Sequence, residues 1–305
     1  MYPAKSVIFF TTISGAGFGL IALLALTAGM GHISWGKSWE LAAVGLALAV
    51  SGLISSTFHL GNPQRAWRAV SQWQSSWLSR EGVLAVITCG LFGLWVVAGM
   101  VGYALPDMLG YVVAGLCVLT VFATAMIYAQ LRPVPRWHTW LTPASYLGFS
   151  LSSGMLLMVM LHPHYDGMAG GALGCLAIAW AVKALWWMRA AKADVRSGGS
   201  DTATATGLAG YADIRLFEKP HMTKNYLMKE MVFVVGRKHV NKLRMITLLL
   251  GAAVPASLLG LSLIIDGQHV YVLVLAVATH LAGLFAERWL FFAEAEHVVS
   301  LYYGR

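Results

Sequence analysis

Eight stretches of this chain are long and apolar enough to cross a lipid bilayer: 6–30, 38–61, 81–104, 107–131, 142–162, 167–190, 243–266 and 269–293. A helix rising 1.5 Å per residue needs about 20 apolar residues to cross a hydrocarbon core of about 30 Å. Backbone polar groups inside lipid must be bonded within the protein, so segments of this kind are helices. The expected fold is all-α, a polytopic bundle of eight transmembrane helices over residues 1–305. Composition agrees, because only 11% of the residues are charged, against roughly 25% in a soluble domain. The first apolar run spans about 25 residues, longer than the short core of a cleaved signal peptide, and reads as a retained first helix.

The connections alternate in character. Those at 31–37, 105–106, 163–166 and 267–268 are short, whereas those at 62–80, 132–141 and 191–242 are longer. All of the 21 Lys and Arg except Lys37 and Lys183 fall on the longer loops, the termini or the helix ends beside them. Under the positive-inside rule both termini and the three longer loops face the cytoplasm. The net charge of +8 then belongs to loops at an anionic membrane surface, and no nucleic-acid motif accompanies it. Residues 191–242 form the one long loop. It opens on the small, polar SGGSDTATATG and continues into a stretch mixing basic residues with Met, Phe, Leu and Tyr. That latter part reads as a docking segment for a partner, or as an amphipathic segment lying on lipid.

Cys89, Cys117 and Cys175 lie in apolar stretches and form no CxxC or CxxCH pattern. The expectation is that this protein holds no iron–sulfur cluster and no c-type haem. A b-type haem would need two histidines at matched depth, and His59, His162, His164 and His280 offer no such pair. Nor is there a matched pair of broken helices, the mark of a secondary transporter.

The loop HLGNPQRAWRAVSQWQSSWLSREG holds the strongest functional signal. His59 stands where the second helix ends and Glu81 where the third begins, so the two share a membrane depth. His59 is either a helix-end histidine bonded to a carbonyl, or a donor and proton carrier at a quinone. Glu81, with Ser79 as its N-cap, is either a first-turn acid favoured by the helix dipole, or the carboxylate that exchanges protons with a quinone. Arg65 and Arg80 are near enough in sequence to tune either group. In the last helix His280, Glu287 and Glu294 recur every seven residues and share a face. That polar stripe is either an interhelical adhesive or a proton path. Arg288 is not on the face of Glu287, and Lys183 is placed to snorkel to the basic side.

HLGNPQRAWRA followed by SWLSREG resembles the membrane anchor subunit of dimethyl sulfoxide reductase-type molybdoenzymes, the DmsC-like family. NYLMKEMVF…RKH before the seventh helix and RWLFFAEAEHVVSLYYG at the end extend the resemblance over most of the sequence. The C-terminal stretch looks more like the sulfite dehydrogenase branch. The resemblance implies an anchor in the bacterial inner membrane, exchanging electrons with ubiquinone or menaquinone. Its partners would be a ferredoxin-like iron–sulfur subunit and a molybdopterin catalytic subunit, with the molybdenum and the clusters in those proteins. It implies quinone and proton roles for His59 and Glu81. A secondary transporter, or an anchor without a quinone site, stands as the alternative.

Overall fold

The computed structural model describes residues 2–58, 62–162, 168–196, 201–211, 214, 217–218, 239–264 and 270–303. His59, His164 and most of the expected docking stretch, including NYLMKEMVF, lie outside the described residues. Eight helices are long and apolar enough to cross a membrane: α1 Lys5–Gly29, α2 Trp35–Thr57, α3 Trp77–Met100, α4 Met108–Ala129, α5 Leu141–Leu161, α6 Met168–Lys192, α7 Val240–Ile264 and α8 Val270–Ala293. No strand occurs among the described residues. The protein is an all-α polytopic membrane protein.

α1 sits at the centre and packs on α2, α4, α5 and α8. Its sequence explains the position, since glycine, alanine, serine and threonine let neighbouring backbones close in. A Cβ on Gly19 would collide with the Ser150 carbonyl of α5, and one on Gly154 with the Gly19 backbone. Ser150 fixes the same contact by donating to the Gly15 carbonyl at 2.7 Å.

α7 is interrupted. Leu249–Ala253 forms a π-turn between Val240–Leu248 and Val254–Ile264. Pro255 has no N–H to return to Gly251, four residues back, and its ring crowds that carbonyl. The π-turn absorbs the misfit. The Gly251 oxygen accepts instead from Trp180 Nε1 of α6 at 2.9 Å and from His280 Nδ1 of α8 at 2.8 Å. Gly251 and Gly283 meet at the same crossing, where neither has room for a Cβ.

At the end of the bundle that carries the basic loops, an aromatic cluster ties the 132–141 connection down. Trp137 stacks on Phe291 with ring centroids 5.2 Å apart, and its Nε1 donates to the Phe291 carbonyl at 2.9 Å. Arg189 of α6 donates to the carbonyls of Pro135 and His138 at 2.8 and 3.0 Å.

Candidate functional site

The 62–80 connection is not a plain loop. Pro63–Gln72 forms a 3₁₀ helix, with proline at its first position, where a missing N–H costs nothing. Arg65, Trp67, Arg68 and Trp73 are exposed on it or just after it. α3 then starts at Trp77, four residues before the position expected from the sequence, and the N-cap is Ser76 rather than Ser79. The Ser76 side chain accepts from the Ser79 backbone at 3.4 Å. Arg80 does not reach inward to tune a buried charge. Its Nε donates to the Trp73 carbonyl at 2.9 Å and its Nη2 to that of Gln74 at 2.6 Å, with the guanidinium 4.4 Å from the Trp77 ring centre. It clamps the 3₁₀ segment onto the head of α3.

The earlier start of α3 changes what Glu81 is. It stands past the first turn, about 6 Å into the helix at 1.5 Å per residue, and is 4% exposed. A first-turn partnership with the helix dipole does not fit that place, because the dipole's effect is confined to the terminal turn. Glu81 instead faces α4, where the Thr124 hydroxyl donates to its Oε1. Further along the same interface the hydroxyls of Thr88 and Thr120 lie 3.2 Å apart. Thr124 also lines a small internal cavity, walled on its other sides by α1, α5 and α8 through Thr12, Tyr146 and Arg288.

The expected stripe of α8 is buried throughout, and its three members engage different neighbours. The Gly251 carbonyl requires His280 Nδ1 to carry the proton. Nε2 is then the acceptor for the Ser153 hydroxyl, 3.1 Å away. Glu287 holds two cations, with Lys183 Nζ at 2.5 Å and Arg288 Nη1 at 3.2 Å. Two expectations are corrected here. Lys183 does not snorkel: it is 1% exposed, paired to Glu287 and 3.8 Å above the Trp186 ring centre. Arg288 does reach Glu287, although consecutive residues point apart on a helix. Arg288 also sits 3.7 Å from the Tyr146 ring centre, inside the bundle rather than at its end. Glu294 falls one residue beyond α8 and joins Arg136, at 3.3 Å, to Arg244, whose Nη2 lies at 2.6 Å.

Sequence reasoning misses Thr124, Tyr146 and the Lys183–Glu287–Arg288 cluster as a site. The signal for the cluster is present as charges inside apolar spans, which are expensive and therefore engaged. The signal for Thr124 is weaker: Thr120 and Thr124 lie four apart, on one face of α4.

The sequence matches the family described as DMSO reductase anchor subunit (DmsC) over residues 1–304. The protein belongs to that family. Among curated relatives of this DmsC-family protein, the C subunit of sulfite dehydrogenase from Allochromatium vinosum is 34% identical, and the match takes in 99% of each of the two sequences. Anaerobic dimethyl sulfoxide reductase chain YnfH of Escherichia coli is 32% identical over 35% of this sequence and 38% of its own. An anaerobic dimethyl sulfoxide reductase component from Haemophilus influenzae is 26% identical over 50% of this sequence and 58% of its own. No solved structure matches. This DmsC-family protein is thus a homologue of membrane anchors of molybdoenzyme complexes, and of a sulfite dehydrogenase subunit along nearly its whole length.

Proposed function

We propose that this protein is the quinone-reactive anchor of a molybdopterin oxidoreductase in the bacterial inner membrane, passing electrons between a partner iron–sulfur subunit and the quinone pool. The full-length relation to a sulfite dehydrogenase subunit favours sulfite as the substrate of the catalytic partner. The long loops and both termini face the cytoplasm in this reading, on the basic side of the bundle. Arg65, Trp67 and Arg68 of the Pro63–Gln72 segment and Trp73 just after it, all exposed, meet the iron–sulfur subunit or the lipid surface in this reading, together with the 191–242 loop.

The observation that carries the proposal is Glu81. A carboxyl group withdrawn from water inside a membrane helix is costly, and here it lies at the basic end, bonded to a hydroxyl. Oxidation of a quinol releases two protons with its two electrons, and reduction of a quinone takes up the same number. The residues fit that demand. Glu81 takes or gives a proton at its carboxyl oxygen and Thr124 orients that oxygen, while His59, which follows α2 in the sequence, is the candidate second proton carrier. Arg80 holds the loop to the head of α3.

Glu81→Gln keeps the shape and removes the exchangeable proton. The complex should still copurify and still pass electrons to a soluble dye. Quinone-coupled turnover should fall by about 10²-fold or more, the usual contribution of a placed general acid or base. An unchanged quinone rate would leave the protein as an anchor without a proton-active Glu81.

A further inference from the structure

Between Glu81 and the charge cluster of α8 lies the small cavity bordered by α1, α4, α5 and α8. Its volume is about 10 Å³, roughly the room one water molecule takes. Its wall mixes apolar with polar side chains, and most of the polar groups there are already committed. Ser14 donates to the Phe10 carbonyl at 2.6 Å, Ser150 to Gly15 at 2.7 Å, and Ser153 meets His280 at 3.1 Å. What remains is a set of three. The Thr12 hydroxyl, the Tyr146 hydroxyl and Arg288 Nη1 have no aligned hydrogen-bond partner among the described residues, though Nη1 is in ion-pair contact with Glu287. All three residues are 3% exposed. A buried polar group left unbonded costs about 1–3 kcal/mol. Three such groups, on residues that all line a water-sized cavity, match the two to four partners a buried water requires.

Thr124, also in that wall, has two acceptors within reach. Its hydroxyl donates to Glu81 Oε1, and the Thr120 carbonyl lies 3.1 Å away on the same helix. A hydroxyl has one proton to give, so Thr124 chooses between them.

We propose that the cavity binds one ordered water which, with Thr124, forms a two-position hydrogen-bond relay that satisfies Glu81 in both of its protonation states. This rests on the proton role given to Glu81 above. With Glu81 ionised, Thr124 donates to the carboxylate, and its oxygen accepts from the water, which is held by Arg288 and Tyr146. When Glu81 takes a proton, its O–H donates to Thr124, the Thr124 hydroxyl turns to the Thr120 carbonyl, and the water turns to Thr12. One proton is gained at Glu81 and no other bond to hydrogen is made or broken. The charged and titratable groups around the cavity are Glu81 of α3 through Thr124, Tyr146 of α5 with Tyr128 of α4 stacked on it, Arg288 of α8 with Glu287 and, through Glu287, Lys183 of α6 behind it, and His280 of α8 through Ser153. Thr124, Tyr146 and Thr12 are positioning residues in this scheme, since they act through Glu81.

The test is infrared difference spectroscopy on the intact complex in lipid nanodiscs, with redox and pH changes as separate triggers. Loss of a carboxyl C=O band in Glu81→Gln identifies the Glu81 signal. Thr124→Val should shift that band, as expected of a carboxyl whose O–H has lost its acceptor, and Thr124→Ser should restore it. In wild type, one bound-water O–H band should shift in heavy-oxygen water and be lost in the Thr12→Ala/Tyr146→Phe double variant. A Glu81 band unmoved by Thr124→Val, or a water band indifferent to the double variant, overturns the relay. The two triggers separate this proposal from the quinone reading. If the Glu81 band appears under pH change but not redox change, and Thr124→Val moves it, the relay stands and the quinone role falls.

Discussion

Glu287→Gln should be among the most damaging single substitutions in the bundle, and the neighbouring Lys183→Met should be comparatively mild. Glu287 is the anion shared by two buried cations, Lys183 at 2.5 Å and Arg288 at 3.2 Å. Its neutral amide would strand both. Removing one partner of a buried pair costs about 3–5 kcal/mol, because an uncompensated charge is left inside. Lys183→Met removes a cation but leaves Glu287 and Arg288 as a balanced pair, with an apolar chain of similar length in the gap. The principal loss is then the Lys183 contact with the Trp186 ring, 3.8 Å away, on the order of 2 kcal/mol for a desolvated cation over an aromatic face. The double variant should recover part of the Glu287→Gln loss, since one of the two stranded cations is gone. Unfolding by sodium dodecyl sulfate in mixed micelles, followed by tryptophan fluorescence, reports the cycle. Lys183→Met as costly as Glu287→Gln, or a neutral Glu287→Gln, would refute the shared-anion account.

Glu294→Gln should release Arg136 and Arg244 together, lowering stability by about 1–3 kcal/mol in the same titration, the scale of hydrogen bonds to charged groups. It should also hasten proteolysis at the start of α7. Gly154→Leu should fail to yield folded protein, because α1 has no space for a side chain at that crossing; normal yield would refute the close-approach argument. For orientation, an externally added thiol reagent should label Tyr165→Cys and miss Ser200→Cys in intact cells, and the reverse pattern would place the basic loops outside.

Spans are legible in the sequence because bilayer thickness imposes a length and an apolar composition on each one. Their starts are not. In SSWLSREG the sequence offers Ser76 and Ser79 as caps, and with Ser79 chosen Glu81 becomes a first-turn acid. Trp77 and Leu78 are apolar enough to extend the helix back to Ser76, and that single turn carries Glu81 from the mouth of the bundle into its wall. Pairings across helices are hidden for a related reason. Threonine within a span ordinarily bonds its own helix carbonyl, as Thr124 does to Thr120 at 3.1 Å. Only the rotation of α3 against α4 decides that it also meets Glu81. The distance of Lys183 from its helix end permits snorkelling. What holds it inside is Glu287, more than a hundred positions away in the sequence.

The Gly251 carbonyl has a consequence for how α7 can change. A carbonyl oxygen offers two lone pairs, and here Trp180 and His280 take both. In an uninterrupted helix a third donor, the amide four residues on, would compete for the same oxygen. Pro255 is the residue that has no such amide. Replacing it with alanine would not simply straighten α7: it would put three donors before two lone pairs, and the loser would be a helix amide, the indole of α6 or the imidazole of α8. The proline thus works as an assignment of bonding capacity, reserving one oxygen of α7 for side chains of two other helices.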